Sequence, residues 1–147
     1  MTPQHALIIG AGGDIGKSIS ALLSHQGYRV VGTTREFLDL SDRRSVAEFI
    51  RTQDQSFAHI VFAAALNNPM PYKDITDASI DEALRVNVLA FLEILRGLIA
   101  AMPKTGNKSV TMISSLLWAA AWVGAATIVI ASPLTDKRIF VFFMPRL

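Results

Sequence analysis

Gly10, Gly13 and Gly16 stand three residues apart in Gly-Ala-Gly-Gly-Asp-Ile-Gly, directly after the apolar run Ala-Leu-Ile-Ile. Glycines so spaced clear the backbone for a phosphate. Gly10 permits a tight turn, Gly13 lets a pyrophosphate approach the main chain, and Gly16 lets a following helix pack close to the strand before it. The N–H groups of the first helical turn, at Asp14, Ile15 and Gly16, then face the anion together with the positive end of the helix dipole, so no cationic side chain is required. That reading needs a strand before the glycines and a helix after them. Leu7, Ile8 and Ile9 form the short continuous apolar run of a strand covered on both faces. Ile15, Ile19, Leu22 and Leu23 recur at helical spacing until Gly27, a residue suited to a left-handed helix end. The segment reads as strand, glycine turn and helix, the arrangement that binds a dinucleotide.

The elements that follow place further candidates around this turn. Tyr28 to Thr34 reads as a second strand ending at Arg35, where the adenosine ribose of a dinucleotide lies. An acidic residue there would accept from the ribose 2′-hydroxyl, whereas arginine accommodates a 2′-phosphate, so Arg35 favours NADP(H) over NAD(H). A solvated surface arginine, its charge offset by Glu36, is the alternative. Arg43 to Gln53 has Val46, Phe49 and Ile50 on one helical face, with Ser41 or Asp42 as its cap. Ala58 to Ala65 is a third strand, and the small residues at Ala63 and Ala64 would let the backbone approach a cofactor. Pro69 and Pro71 mark a loop. Ser79-x-x-Glu82 has the pattern of a capping box opening a long helix, for which Ile80, Leu84, Val88, Leu92, Leu95 and Ile99 supply a buried stripe; Met102-Pro103 ends it. Ser109 to Ser114 is a fourth strand, delivering Ser114 and Ser115 to the edge where open α/β sheets bind ligands.

Composition bounds the alternatives. The 147 residues are one domain's worth, and at 51% hydrophobic they can bury a core. The net charge of +2 comes with no basic cluster interleaved with aromatics, which argues against nucleic acid. Absence of cysteine excludes disulfides and thiolate metal sites and fits a reducing cytoplasm. His5, His25 and His59 lack metal-ligand spacing. Met-Thr-Pro-Gln-His leads almost at once into the first strand, without the pattern of a signal peptide.

Taken in order, these positions resemble the short-chain dehydrogenase/reductase family from about Ala6 to Ser115, its cofactor-binding half. The landmarks are the glycine turn, Asp39 and Leu40 in Leu-Asp-Leu-Ser-Asp, Asn87 in Val-Asn-Val, and Ile-Ser-Ser ending at Ser115. The resemblance implies a Rossmann-type doubly wound parallel sheet, truncated after about five strands in the order 3-2-1-4-5, over residues 1–115, with an atypical apolar tail over 116–147. It also implies roles: Asp39 contacts adenine, Asn87 holds a proton-relay water, and Ser115 hydrogen-bonds a small carbonyl or alcohol substrate. Read without the family, Asn87 could satisfy a backbone group in the core and Ser115 could cap the next element.

The departures limit the activity expected. Ile9 stands where the family has threonine, and Ala63-Ala64-Ala65 replaces Asn-Asn-Ala-Gly. The family's Tyr-x-x-x-Lys motif would begin thirteen residues after Ser115, where this chain has Ile128, with Ser132 in place of the lysine. In the family that tyrosine is the general acid/base, so hydride transfer lacks its proton partner here. The expectation is an NAD(P)-dependent oxidoreductase of this type, truncated and catalytically impaired, or else a non-catalytic nucleotide-binding module. No charge occurs from Ser109 to Thr135, and a run of that length reaches the roughly 20 residues of a membrane span. Because it contains the fourth strand, a core segment followed by an apolar tail is the preferred reading. Ending the sheet at its fifth strand would leave an edge prone to homo-oligomerisation unless the tail folds back over it. A shifted reading frame is expected from about Thr127. The codons of Thr-Ile-Val-Ile-Ala-Ser, regrouped from the third base of the first, permit Tyr-Ser-x-Ser-Lys at the position the family requires.

Overall fold

The computed structural model describes residues 4–114, 128–131 and 138–143. Strand β1 (His5–Ile9) leads through the glycine turn into helix α1 (Asp14–His25), then β2 (Arg29–Thr33), α2 (Arg43–Thr52) and β3 (Phe57–Phe62). A long helical stretch follows as α3 (Asp77–Leu84), a π-turn (Arg85–Leu89) and α4 (Ala90–Leu98), closed by a 3-10 turn (Ile99–Ala101). Three strands complete the sheet: β4 (Ser109–Ser114), β5 (Ile128–Ala131) and β6 (Arg138–Phe143). The order is β2-β1-β3-β4-β6-β5. All neighbours are parallel except β5 and β6, which pair antiparallel. This is a Rossmann-like α/β sheet, and the central strands carry it because both their faces are covered. Ala6, Leu7, Ile8 and Ile9 are at most 1% exposed, which is why β1 reads as an unbroken apolar run.

Three expectations need correction. The sheet order is not 3-2-1-4-5, because the third strand, β3, pairs with β1 on the side away from β2, which lies at the edge. Residues 34–42, which join β2 to α2, form no strand. Their N–H groups are used locally, Phe37 and Leu38 donating to Thr34 O, Asp42 to Asp39 O, and Asp39 to Ser45 Oγ, leaving none of these for a ladder. Second, the long helix opens one residue after Thr76, not at Ser79. Thr76 caps it, exchanging hydrogen bonds with Ser79, which sits at the third helical position. Third, the expected buried stripe faces outward at Ile80, Leu84, Val88 and Leu92, each 40–51% exposed. The face against the sheet is Ala90, Ile94 and Leu98, with Val86, Phe91, Leu95 and Ile99 packed beside them. Apolar residues occupy both sides of this helix, and spacing alone does not say which one meets the sheet.

Other details follow the sequence. Asp42 caps α2 through its side chain, accepting from the Arg44 N–H at 2.8 Å. Val46, Phe49 and Ile50 turn toward the core. Phe62 meets Phe91 edge to face with ring centres 5.6 Å apart, fastening β3 to α4. Among the described residues no helix is long and apolar enough to cross a membrane.

Candidate cofactor site

At the carboxyl edge of β1, β2 and β3 lies a cleft of about 360 Å³. The glycine turn forms its floor. Gly10 takes a φ of +86°, and a Cβ there would also come within 2.7 Å of Ala64 N, so the position admits only glycine. The N–H groups of Gly10 and Ala11 both donate to Thr33 O, tying the turn to the end of β2. A Cβ at Gly16 would drive into Gly10 O and Ala11 Cα, so this glycine lets α1 start against the strand.

Gly13 is different. It is the N-cap of α1, in extended backbone any residue adopts (φ −78°, ψ 165°), and an added Cβ would meet nothing nearer than Gly10 O at 3.7 Å. The fold itself therefore makes no demand for glycine there. No side chain caps this helix, so the N–H groups of its first turn are open to an external acceptor. A backbone surface cleared of side chains beside uncapped N–H groups is the cradle a pyrophosphate needs, and the residues present fit that group.

The two walls differ in character. Thr34, Arg35, Leu38, Asp39, Leu40 and Ser41 line one side, and Ala63, Ala64, Ala65 and Leu66 the other. Asp39 is fixed in place, its Oδ1 accepting from Ser41 N at 2.9 Å and Ser41 Oγ at 2.6 Å. The Ser41 hydroxyl, then the Ser41 N–H, hold its carboxyl below the usual range; burial opposes this and the Arg35 charge assists it. Arg35 is exposed on the same wall. Ala63 extends the sheet by donating to Ile9 O at 2.8 Å.

The RmlD substrate binding domain profile matches residues 4–101. The chain belongs to that family. Its fold is that of the N-terminal half of short-chain dehydrogenases/reductases. An oxidoreductase of that family from Brucella ovis, solved with a partially ordered NAD, is 18% identical with a TM-score of 0.69, the match covering 83% of this chain and 66% of that one. A Streptomyces avermitilis short-chain dehydrogenase is also 18% identical, with a TM-score of 0.70 over 85% of this chain and 53% of that one. A metagenomic short-chain oxidoreductase in complex with NADP is 25% identical, with a TM-score of 0.67 over 77% and 62%. The chain thus spans between about half and two thirds of these structures' length. No curated protein sequence matches it.

In this RmlD-family chain the candidates named from sequence that lie among the described residues separate into three groups. Gly10, Gly13, Arg35, Asp39, Leu40, Ala63 and Ala64 line the cleft together. Asp14, Ile15 and Gly16 form the first turn of α1 directly behind the glycine floor. Asn87 lies in the π-turn with both ends of its amide taken: Oδ1 accepts from Leu66 N at 2.7 Å and Nδ2 donates to Leu66 O at 3.0 Å. Its side chain pins the second wall. Ser115 and Ser132 lie outside the described residues.

Sequence reasoning missed Arg85. Its Nε donates to Leu40 O at 3.3 Å, and its two terminal nitrogens fork onto Glu93, whose Oε1 also accepts from Arg43 Nη2 at 3.2 Å. This pairing raises the Arg85 pKa and lowers that of Glu93, in each case chiefly through the hydrogen bonds between them. Glu93 follows Arg85 by eight residues, and an α-helix brings residues three or four apart side by side. The inserted π-turn and the length of the arginine close that gap, and no sequence rule flags it.

Proposed function

We propose that this chain is the cofactor-binding part of a short-chain-type oxidoreductase, that it takes NADP(H) in preference to NAD(H), and that it turns over carbonyl or alcohol substrates poorly as it stands. Gly13 carries the cofactor reading: a glycine the fold does not need, beside an uncapped helix start, has its use in contact with a ligand. Arg35 supports the choice of NADP(H), standing exposed on the wall next to Asp39, where a ribose 2′-phosphate would lie. Asp39 and Leu40 would meet the adenine, while Ala63 and Ala64 give room for the cofactor's middle. Bound cofactor would supply or accept hydride at its nicotinamide.

The impairment follows from the tyrosines. The sequence has only Tyr28 and Tyr72. Tyr28 packs edge-on against His59, their ring centres 4.7 Å apart, and Tyr72 is 83% exposed in the loop after β3; neither lines the cleft. Ser115 could orient a substrate, while the Asn87 amide is engaged by Leu66, and neither is a good proton donor at neutral pH. A non-catalytic nucleotide-binding role is favoured by the same observation. NADPH oxidation with generic aldehydes and ketones separates the two: background rates with tight NADPH binding fit the binding role, and robust turnover refutes the impairment.

Self-association belongs to the same proposal. Ile80, Leu84, Val88 and Leu92 present an exposed apolar stripe along one helix. Light scattering should give a mass above that of one chain; a sharp monomer at high concentration would count against it.

A further inference from the structure

Three consecutive residues of the π-turn reach different parts of the cleft. Arg85 holds Leu40 O on the wall that includes Asp39, Val86 lines the cleft itself, and Asn87 clasps the backbone of Leu66 on the opposite wall. Successive helical side chains diverge by about 100°, so one turn laid across the mouth of the sheet can grip both sides. A π-turn is an uncommon, locally costly insertion that recurs at functional sites. Here it brings Arg85 into line with Glu93 on α4 while keeping Asn87 on Leu66.

We propose that the π-turn sets the separation of the two walls, and that Arg85 is the positioning residue for the wall that receives the adenosine. This rests on the dinucleotide reading for its ligand but not for its geometry. Arg85 does not touch the cofactor; it acts through the carbonyl of Leu40. The guanidinium is suited to this because its side chain is only 11% exposed and its Nε and terminal nitrogens serve two acceptors in one plane. Lysine could keep one contact with Glu93 but has no second donor directed at Leu40 O. Arg43, at the start of α2, completes the clip from the far side of the same loop.

The test uses the full chain, with amide hydrogen exchange and NADPH titration on wild type, Arg85→Lys and Glu93→Gln. The glutamine variant leaves Arg85 in place and weakens the fork that aims it. Exchange at Leu38–Ser41 should rise about tenfold in both variants, with β1 and β3 unchanged, and the Kd for NADPH should rise by a similar factor, the worth of about one charge-assisted hydrogen bond. Unchanged exchange at Leu38–Ser41 would overturn the proposal, as would a rise spread equally over β1 and β3, which would mean general destabilisation. If wild type fails to bind NADPH while the loop still loosens in both variants, the dinucleotide reading falls and the clip stands. If wild type binds and the loop stays protected, the clip falls and the dinucleotide reading stands.

Discussion

Replacing Gly13 by alanine should leave the fold intact and remove cofactor binding. The backbone at Gly13 is extended and the new methyl would have 3.7 Å of clearance from Gly10 O, so no strain arises. Two small effects on stability oppose each other. Alanine is a poorer N-cap than glycine, a loss on the order of 0.5–1 kcal/mol. It also restricts the unfolded chain, a gain of about 0.4–1 kcal/mol at a compatible position. The net change should stay within roughly 0.5 kcal/mol, or about 2 °C in Tm for a domain of this size. In the complex, the methyl would stand where the pyrophosphate meets the helix start. Displacing the phosphate from two N–H groups forfeits two charge-assisted hydrogen bonds, roughly 3–6 kcal/mol together. Affinity should therefore fall by about two to four orders of magnitude. Thermal unfolding and calorimetric titration with NADPH on the same preparation read both quantities. Gly16→Ala is the contrast, because its Cβ would strike Gly10 O and it should fail to fold stably. A Gly13→Ala protein that binds NADPH as tightly as wild type would refute the reasoning.

Further outcomes follow from other residues. Wild type should bind NADPH more tightly than NADH by on the order of tenfold or more, the worth of a charged hydrogen bond, and Arg35→Ala should bring the two together; equal affinities in wild type would remove the assignment. Stability should fall as pH drops below 6.5, the ordinary histidine value, because burial lowers the His59 pKa in the folded state. The unfolded chain then takes up a proton the folded chain refuses, and the loss levels off once pH passes the folded value. Among the described residues its buried Nε2 has no hydrogen-bond partner, while Nδ1 lies 2.8 Å from Ser109 Oγ, so the protonated ring would hold an Nε2–H with no acceptor. Urea unfolding across that range should show the slope in wild type and lose it in His59→Phe. Carbonyl turnover should be near background; activity that vanished in Ser115→Ala would mean another residue donates the proton.

The central strands were legible because burial on both faces writes itself as an unbroken apolar run, as in Leu7–Ile9 and again in β3. The glycine turn was legible because Gly10 and Gly16 answer steric demands only glycine can meet. Whatever depended on which partner an element finds was not legible. Ile80, Leu84, Val88 and Leu92 have the spacing of a buried face, yet the sheet lies against Ala90, Ile94 and Leu98 on the other side. The side on which β3 joins β1 was not legible either, because strands covered on both faces read alike at every place in a parallel sheet. At the site, Asn87 was found by motif and its pairing with Leu66 only by structure. Arg85 was invisible because its acceptors lie forty-five residues earlier and on a helix whose register is shifted by a π-turn.

NADPH titrated into isotopically labelled protein, followed amide by amide, tests the cofactor site most directly. Saturable shifts should be confined to Gly10–Gly16, Arg35, Leu38–Ser41 and Ala63–Leu66, largest in the first turn of α1. Shifts centred elsewhere, or none at saturating NADPH in a protein that remains folded, would contradict it.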